Sequence, residues 1–177
     1  MFRVIALSNP PIFVYNRPMG DFTIRLIQQA DLPAVGKLGA SLVRAHFAFD
    51  PERFVKPAPN VEEGYAWFLG TQMKDPEAVI FVAERGKTVV GYVYAALEPH
   101  SWKELREPAG FIHDVVVDES NQSAGIGAAL IEAAMDWLRE HGAPRVILWT
   151  AEKNVAAQRL FARLGFRRTM IEMTREV

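Results

Sequence analysis

The polar turn between residues 118 and 125 is the part of this sequence best suited to bind an anion. An apolar run, Val115-Val116-Val117, leads into the turn, and Gly125 and Gly127 precede a segment with helical spacing. A helix N-terminus has unpaired backbone N–H groups and partial positive charge, and glycine lets a phosphate approach the backbone. The segment is therefore a candidate phosphate site. The alternative is that the glycine pair forms only a turn and a close packing point.

Two commoner phosphate-binding motifs do not match the chain. A dinucleotide fingerprint requires a third glycine three residues after the second, and Leu130 stands at that position. The full Walker pattern is not matched either. The candidate phosphate site therefore belongs to neither of these classes.

His113 and Asp114, which directly precede the apolar run, are the candidate catalytic groups. An imidazole can take a proton from an ammonium group near neutral pH, so His113 is the first candidate for a general base. The alternative is a histidine whose hydrogen bonds are satisfied within the sheet. Strand alternation predicts that Asp114 lies on the opposite face, so the two side chains are not expected to act alike.

Composition excludes several classes of protein. The chain has 177 residues, 50% of them apolar, and 20 basic residues balance 21 acidic ones, which argues against a nucleic-acid binder. With no cysteine, the chain has no thiol nucleophile or Cys-ligated zinc, and a cytoplasmic location is expected. His46, His100 and His141 match no metal-ligand spacing and are expected to be surface or core residues, so no metal is predicted.

The hydrophobic patterning predicts one α/β domain over residues 22–177, after an N-terminal extension, residues 1–21, of unreadable role. The order is β-α-α-β-β-β-α-β-α-β. Asp31 and Asn154 are predicted helix N-caps. The predicted segments are strand 23–28, helix 31–46, helix 62–73, strands 78–84, 88–97 and 111–117, helix 125–141, strand 146–149, helix 154–165 and strand 166–173.

Two motifs resemble those of the GNAT family of N-acetyltransferases. The run Gln122-Ser123-Ala124-Gly125-Ile126-Gly127-Ala128 matches the pyrophosphate motif Q/R-x-x-G-x-G/A of that family. The run from Asn154 to Phe166 resembles the second family signature, N-x-x-A-x-x-L-Y-x-x-x-G-F. The element order also agrees, so the resemblance covers about residues 22–173.

The resemblance implies a mixed central sheet splayed into a V, with acetyl-CoA as co-substrate in the opening. Backbone groups of the strand would pair with the pantetheine arm, while Gln122 and the N–H groups that follow Gly125 would hold the pyrophosphate. The implied cofactor-binding residues are Val115, Val116, Val117, Gln122, Ser123, Ala124, Gly125, Ile126, Gly127, Ala128, Asn154 and Phe161.

Phe161 departs from the family pattern, which commonly has at that position a tyrosine held to protonate the departing thiolate. The expected function is nevertheless direct acetyl transfer to a primary amine in a ternary complex. A small cationic amine is favoured by the acidic residues of the segments that cover the acceptor side, Asp50, Glu52, Glu62, Glu63 and Glu98. The alternatives are a protein N-terminal or lysine acetyltransferase and a non-catalytic acyl-CoA-binding module. A homodimer is expected, with no nucleic-acid or membrane partner.

Overall fold

The computed structural model describes residues 16–122 and 124–177, and a six-stranded mixed sheet runs through it. The strands lie across the sheet in chain order, and every neighbouring pair is antiparallel except the parallel pair β5–β6. The strands are β1 (Asn16–Met19), β2 (Phe22–Leu26), β3 (Ala78–Arg85), β4 (Thr88–Glu98), β5 (Ala109–Val117) and β6 (Val146–Leu148). The helices are α1 (Leu32–Phe49), α2 (Val61–Gln72), α3 (Ile126–Glu140) and α4 (Val155–Arg163).

Helices cover both faces of the sheet. Helices α3 and α4 pack on one face in a core that includes Leu130, Leu138 and Phe161. Helices α1 and α2 pack on the other face in a second core that includes Val35 and Leu69. Because both faces of β3 and β4 are buried, these strands are almost continuously apolar, which explains why the sequence predicts them well.

Strand β1 joins the sheet from within residues 1–21, the segment predicted to be an extension. It forms a hairpin with β2, in which Met19 pairs with Phe22. Gly20, with φ of +73°, occupies the turn, where a positive φ favours glycine. Residues 16–19 therefore extend the sheet by one strand. Residues 1–15 of the predicted extension lie outside the described residues.

The predicted last strand, residues 166–173, is wrong, because this segment has no regular secondary structure. Gly165, with φ of +87°, ends α4 as expected, but the chain beyond it does not pair with β6. Strand β6 has only three residues, so it offers few ladder groups. Met170, Ile171 and Met173 are 76–90% exposed, so no apolar burial compensates. Apolar alternation alone did not specify a strand at this edge.

The two predicted helix N-caps meet different outcomes. The Asn154 side chain accepts a hydrogen bond from the Ala157 N–H at 3.1 Å, which confirms it as the N-cap of α4. Asp31 precedes α1 but makes no capping hydrogen bond to that helix.

The chain contains the last three residues of a Walker loop at Gly86-Lys87-Thr88. The position of the required first glycine is occupied by Phe81, and the segment joins β3 to β4, so it is not a Walker loop.

None of the helices formed by the described residues is long and apolar enough to cross a membrane.

Candidate active site

Strands β5 and β6 part after a short stretch of pairing. Their parallel ladder joins Gly110 to Val146, Phe111 to Ile147 and Ile112 to Leu148, and no further pair forms within the described residues. The second half of β5, residues 113–117, therefore has no β6 neighbour. Backbone groups on that side are available to a ligand, as the V-shaped opening implied by the family resemblance requires.

A β-bulge begins where the two strands part. On the β4 side, Tyr94 pairs with Asp114 and Ala95 pairs with Ile112, so His113 is left without a ladder partner. A bulge of this kind turns two successive side chains toward the same face. The prediction that His113 and Asp114 lie on opposite faces is therefore wrong, because strict alternation fails at the bulge.

Contacts with β4 confirm this shared face. Tyr92 and Tyr94 are two residues apart and so project from the same side of their strand. The Tyr92 hydroxyl donates to Asp114 Oδ2 at 3.1 Å, and the Tyr94 ring stacks on the His113 ring with centroids 4.8 Å apart. Both candidate catalytic groups thus face the layer formed by α1 and α2.

His113 is held by two rings and a carboxylate. Its imidazole lies between the rings of Tyr94 and Phe111, each with a centroid 4.8 Å away and nearly parallel to it. Its Nε2 lies 3.1 Å from Glu98 Oε1. The Glu98 carboxylate can accept the Nε2 proton and so leave a lone pair on Nδ1, the form that a general base requires.

Asp114 is a half-buried carboxylate that bonds neutral donors instead of a cation. Its Oδ2 accepts hydrogen bonds from Tyr65 at 2.6 Å and from Tyr92 at 3.1 Å. Burial raises the pKa of the Asp114 carboxyl above its ordinary value, and the two hydrogen bonds and nearby histidines only partly offset that rise. An arriving cation would favour the charged form.

The tyrosines around this carboxylate are neutral donors. Burial, followed by the negative charge of Asp114, raises the pKa values of Tyr65 and Tyr92. Burial and the charge of Glu98 raise the pKa of Tyr94 to about 12, and its hydroxyl donates to Gln72. Tyr92 and Tyr94 therefore bind groups within the protein rather than standing free as proton donors.

A cavity of about 260 Å³ occupies the parting of the strands. We call it the central cavity. Its lining comes from α1, the loop after it, the end of β5, the residues after β6 and α4. The lining residues are Leu42, Val43, His46, Phe54, Val55, Ile112, His113, Asp114, Val115, Leu148, Trp149, Thr150, Asn154, Ala157 and Phe161.

Sequence reasoning missed several residues of this site. His46, expected to be a surface or core residue, lines the central cavity, and its Nδ1 lies 2.9 Å from the Leu42 carbonyl oxygen. Thr150 Oγ1 is buried in the lining and has no hydrogen-bond partner among the described residues. Tyr65 reaches Asp114 from α2. No sequence signal joins these positions, because they meet only after α1 and α2 pack on the sheet.

The acidic residues expected on the acceptor side do not line the central cavity. An Asp50 carboxylate oxygen accepts hydrogen bonds from the backbone N–H groups of Glu52 and Arg53, and Glu62 pairs with Arg44. Glu98 pairs with His113. Asp114 is the acidic member of the lining. A positive ligand group would therefore be bound by Asp114 rather than by this dispersed set.

The glycine turn has the geometry expected for close approach to a backbone. Gly125 has φ of +80°, and a Cβ built there would meet nothing within 4 Å. The first helical hydrogen bond of α3 runs from the Ala129 N–H to the Gly125 carbonyl oxygen. The N–H groups of residues 126–128 therefore have no acceptor within the helix. Gln122 Nε2 donates to the Val117 carbonyl at 3.4 Å.

The implied cofactor-binding residues differ in what they can offer. Phe161 and Asn154 line the central cavity, as does Val115. Val116 and Ile126 are buried in opposite cores, so their side chains are used in packing and only their backbones remain for a ligand. Ser123 lies outside the described residues.

Among the described residues no group of three or more His, Asp or Glu side chains could hold a metal ion. His100 lies near Glu107, and Trp102 beside it is largely exposed outside the central cavity. Trp149 lines the cavity and contacts Phe111. Of these two tryptophans, Trp149 is the one that lines the central cavity.

A mixed sheet that opens beside a glycine turn is the arrangement of the GNAT acetyltransferases. The model of the acetyltransferase (GNAT) family matches residues 42–166, which include the opening, the turn and α4. The chain belongs to this family.

Two relatives are similar to the chain over most of its length. It is 32% identical over 159 residues to an uncharacterized N-acetyltransferase of Methanocaldococcus jannaschii, covering 90% of this chain and 66% of that relative. It is 29% identical over 191 residues to a mycothiol acetyltransferase of Thermobispora bispora, covering 85% and 64%. The chain thus spans slightly less than two thirds of each relative's length.

The fold also matches that of a solved enzyme. The aminoglycoside N-acetyltransferase AAC(6')-Iy, in complex with CoA, is superposable with a TM-score of 0.67 at 17% identity. The match covers 90% of this chain and 97% of that one. At this identity the likeness shows the shared fold.

Proposed function

We propose that this chain transfers an acetyl group from acetyl-CoA to a primary amine, which attacks the thioester directly. The observation that supports the proposal is the central cavity, which His113 and Asp114 line beside the part of β5 that has no β6 partner among the described residues. Family membership and the names of the relatives support the same class of reaction.

Acetyl-CoA fits the polar groups left free around the opening. Thr150 Oγ1 has no hydrogen-bond partner in the described part of the chain, and the backbone groups of Val115 and Val117 on the β6 side can bond an extended amide chain as an added strand would. Gln122 and the free N–H groups at the start of α3 suit the pyrophosphate. The proposed contacts are those of Val115, Val116, Val117, Gln122, Ser123, Ala124, Gly125, Ile126, Gly127, Ala128, Asn154 and Phe161.

In the proposed reaction the amine nitrogen bonds to the carbonyl carbon of the thioester while the carbon–sulfur bond breaks. The ammonium group binds at Asp114, and His113 takes its proton directly or through water, with Glu98 fixing the imidazole. A strand N–H such as that of Val115 can polarise the carbonyl. The sulfur leaves as a thiolate and takes, through water, the second proton that the nitrogen loses as the amide forms, because Phe161 has no proton to give and a thiol pKa is only about 8.5.

Thiol release from acetyl-CoA in the presence of an amine panel tests the proposal. The panel includes simple alkylamines, spermidine, kanamycin and a peptide with a lysine and a free N-terminus. Thiol release that depends on an added small amine supports the proposed transferase. Thiol release with the peptide but with none of the small amines supports the protein-acetylating alternative. The absence of turnover, with acetyl-CoA still bound in calorimetry, favours a non-catalytic acyl-CoA-binding module, which Phe161 in the cavity also suits.

The glycine turn allows a separate test of cofactor binding. In Gly127→Val a branched side chain replaces hydrogen at the start of α3, where the pyrophosphate is proposed to bind, and the dissociation constant for CoA should rise at least tenfold. Gly70→Val is the matched control, since a Cβ there would meet a leucine atom at 3.2 Å, as one at Gly127 would at 3.3 Å. Unchanged CoA affinity in a folded Gly127→Val protein would contradict the proposed contact.

We also propose a homodimer in the cytoplasm. The absence of cysteine suits a reducing compartment, and the exposed apolar side chains of residues 170–173 offer surface for a second copy. Light scattering at micromolar concentration tests the dimer, and a monomer mass there would contradict it.

A further inference from the structure

A second cavity opens beside the central cavity. It has a volume of about 330 Å³ and lies between α1, α2 and the loop that joins them. We call it the side cavity and define it by Val43, Val55, Lys56, Val61, Tyr65 and Phe68. Val43 and Val55 line both cavities, so the two spaces adjoin.

The side cavity is mostly apolar, and Lys56 and Asn60 are the charged and amide side chains of its lining. Four of its defining side chains are aliphatic or fully aromatic, and the Tyr65 and Phe68 rings meet edge to face with centroids 5.7 Å apart. Apolar walls of this kind bind hydrocarbon by removing it from water. The side cavity can therefore hold an aliphatic or aromatic group.

Tyr65 connects this apolar space to the candidate active site. Its ring lines the side cavity, while its hydroxyl donates to Asp114 in the central cavity at 2.6 Å. A ligand whose ammonium group lies at Asp114 can thus continue across the Tyr65 ring into the side cavity. Charge at one end and hydrocarbon at the other match the two ends of this path.

The distribution of charge opposes ligands with several cations. Among the residues that line the two cavities, Asp114 in the central cavity is the one acidic residue. The charged residue that lines the side cavity is Lys56. A second ammonium group in the side cavity would contact mostly apolar side chains and the like charge of Lys56. No carboxylate there would compensate for its loss of hydration.

Building on the proposed acetyl transfer, we propose that the acceptor is a monoamine with an apolar body, an alkylamine or arylalkylamine. Its ammonium group lies at Asp114 and its apolar part fills the side cavity. The amide forms as described above, with one proton passing to His113 and the second passing through water to the departing thiolate.

A homologous series of amines measures the apolar contact. From n-butylamine to n-octylamine, kcat/KM should rise about fourfold for each methylene group until the side cavity is filled. Phenethylamine should exceed both spermidine and kanamycin. A flat series, or spermidine as the best acceptor, would overturn this inference while leaving acetyl transfer to amines intact.

Val55→Asp places a carboxylate where the two cavities join. Val55 is 74% exposed, so the substitution should not prevent folding. The kcat/KM for hexylamine should fall at least tenfold, and that for spermidine should rise. Trp67→Asp is the matched control, because Trp67 is 73% exposed and lines neither cavity. Equal effects of the two variants on hexylamine would count against the side cavity.

Direct binding separates this inference from the proposed function. Calorimetry with hexylammonium and the full chain should show binding that weakens at least tenfold in Val55→Asp and not in Trp67→Asp. If no amine is acetylated but this binding pattern holds, the transferase proposal fails and the side cavity stands as an amine site. If hexylammonium does not bind and is not acetylated, the inference is wrong.

Discussion

Two carboxylates, Asp31 and Asp114, are shielded from water in opposite ways. Asp31 faces a guanidinium: Arg25 donates to its two oxygens at 2.7 and 3.0 Å, and the Gln28 N–H donates at 2.7 Å. Burial alone would raise the pKa of Asp31, but the Arg25 and Gln28 hydrogen bonds outweigh it and lower that pKa. Asp114 has only tyrosine donors, and its pKa is raised.

The contrast shows which carboxylate is left for a ligand. Arg25 also bonds Glu84, so the three charged groups near β2 satisfy one another within the protein. Among the described residues, Asp114 has hydrogen-bond partners for one oxygen and no ion-pair partner. A carboxylate held in this way is destabilising while charged, and an ammonium group from outside would relieve that penalty.

The largest expected effect lies beside Asp114. His113→Ala should lower kcat about 10²–10⁴-fold, the usual value of a positioned acid–base group, with little change in CoA affinity. The acidic limb of the pH–rate profile should shift or vanish. His100→Ala is the control, since His100 also lies near a glutamate but lines neither cavity. Undiminished turnover with an unchanged profile would transfer the base role to Asp114 or to water.

Removing the cation from the other carboxylate should affect stability instead of catalysis. Arg25→Met leaves Asp31 buried without its partner and should lower the free energy of unfolding by about 3–5 kcal/mol. Thermal unfolding should then begin roughly 10 °C lower. Arg44→Met, which breaks an exposed pair with Glu62, should change stability by less than about 1 kcal/mol. Equal losses in both variants would remove the contrast.

Asp114→Asn should trade affinity for stability. The amide oxygen can still accept from the tyrosines, but it cannot neutralise an ammonium group, so KM for the amine should rise about tenfold or more. Because the Asp114 pKa is raised, its charge destabilises the fold above that pKa, and this variant should unfold at a higher temperature at pH 7. Below the ordinary pKa, about 3.9, the advantage should disappear. A lower unfolding temperature at pH 7 would argue against an uncompensated charge.

Ionisation of Asp31 should stabilise the fold, which is the opposite of the effect expected at Asp114, and lowering the pH should remove this stabilisation. Since its pKa is lowered in the fold, its contribution is present above the ordinary value of about 3.9 and is lost as the pH falls through the folded pKa. Asp31→Asn should therefore be less stable than the parent at pH 7 and should converge with it toward pH 2. Denaturant unfolding across that range measures the convergence. A constant difference would mean that the ion pair is not its source.

The smallest effect is expected at Phe161. Phe161→Tyr should bind CoA normally and raise the rate by less than about tenfold, because the thiol already leaves readily near its own pKa. Steady-state kinetics with one amine checks this. A larger gain would mean that proton supply to sulfur limits the native chain.

The sequence predicted most of the fold because local signals were strong. The apolar runs of β3 and β4, the Asn154 cap and the glycine turn each specify an element within a short window. The failures came from long-range context. The predicted last strand did not form because the neighbouring strand β6 is short. The predicted faces of His113 and Asp114 were wrong because a β-bulge, which no residue type in the sequence indicates, changes the alternation.

The candidate site divides in the same way. The family motifs and the two residues ahead of the apolar run were found, since they are contiguous in sequence. Tyr65, His46 and Glu98 come from three other elements, and their roles arise only when those elements pack around β5. Charge counting in the covering segments suggested a cationic acceptor, yet Glu62 pairs with Arg44 and Glu98 with His113, and the acidic residue that lines the central cavity is Asp114.

The bulge at His113 also bears on how such a site can diverge. Its side chain stacks and bonds, but it is exposed and its backbone lies outside the β4 ladder, whereas Ile112 is buried and paired, so a change at 113 disturbs less packing. Selection can therefore vary residue 113 with less penalty to the sheet than a neighbouring paired position would impose. A saturation library at 113 should retain more folded members than one at Ile112. A lineage could thus change its acid–base group while inheriting the same scaffold.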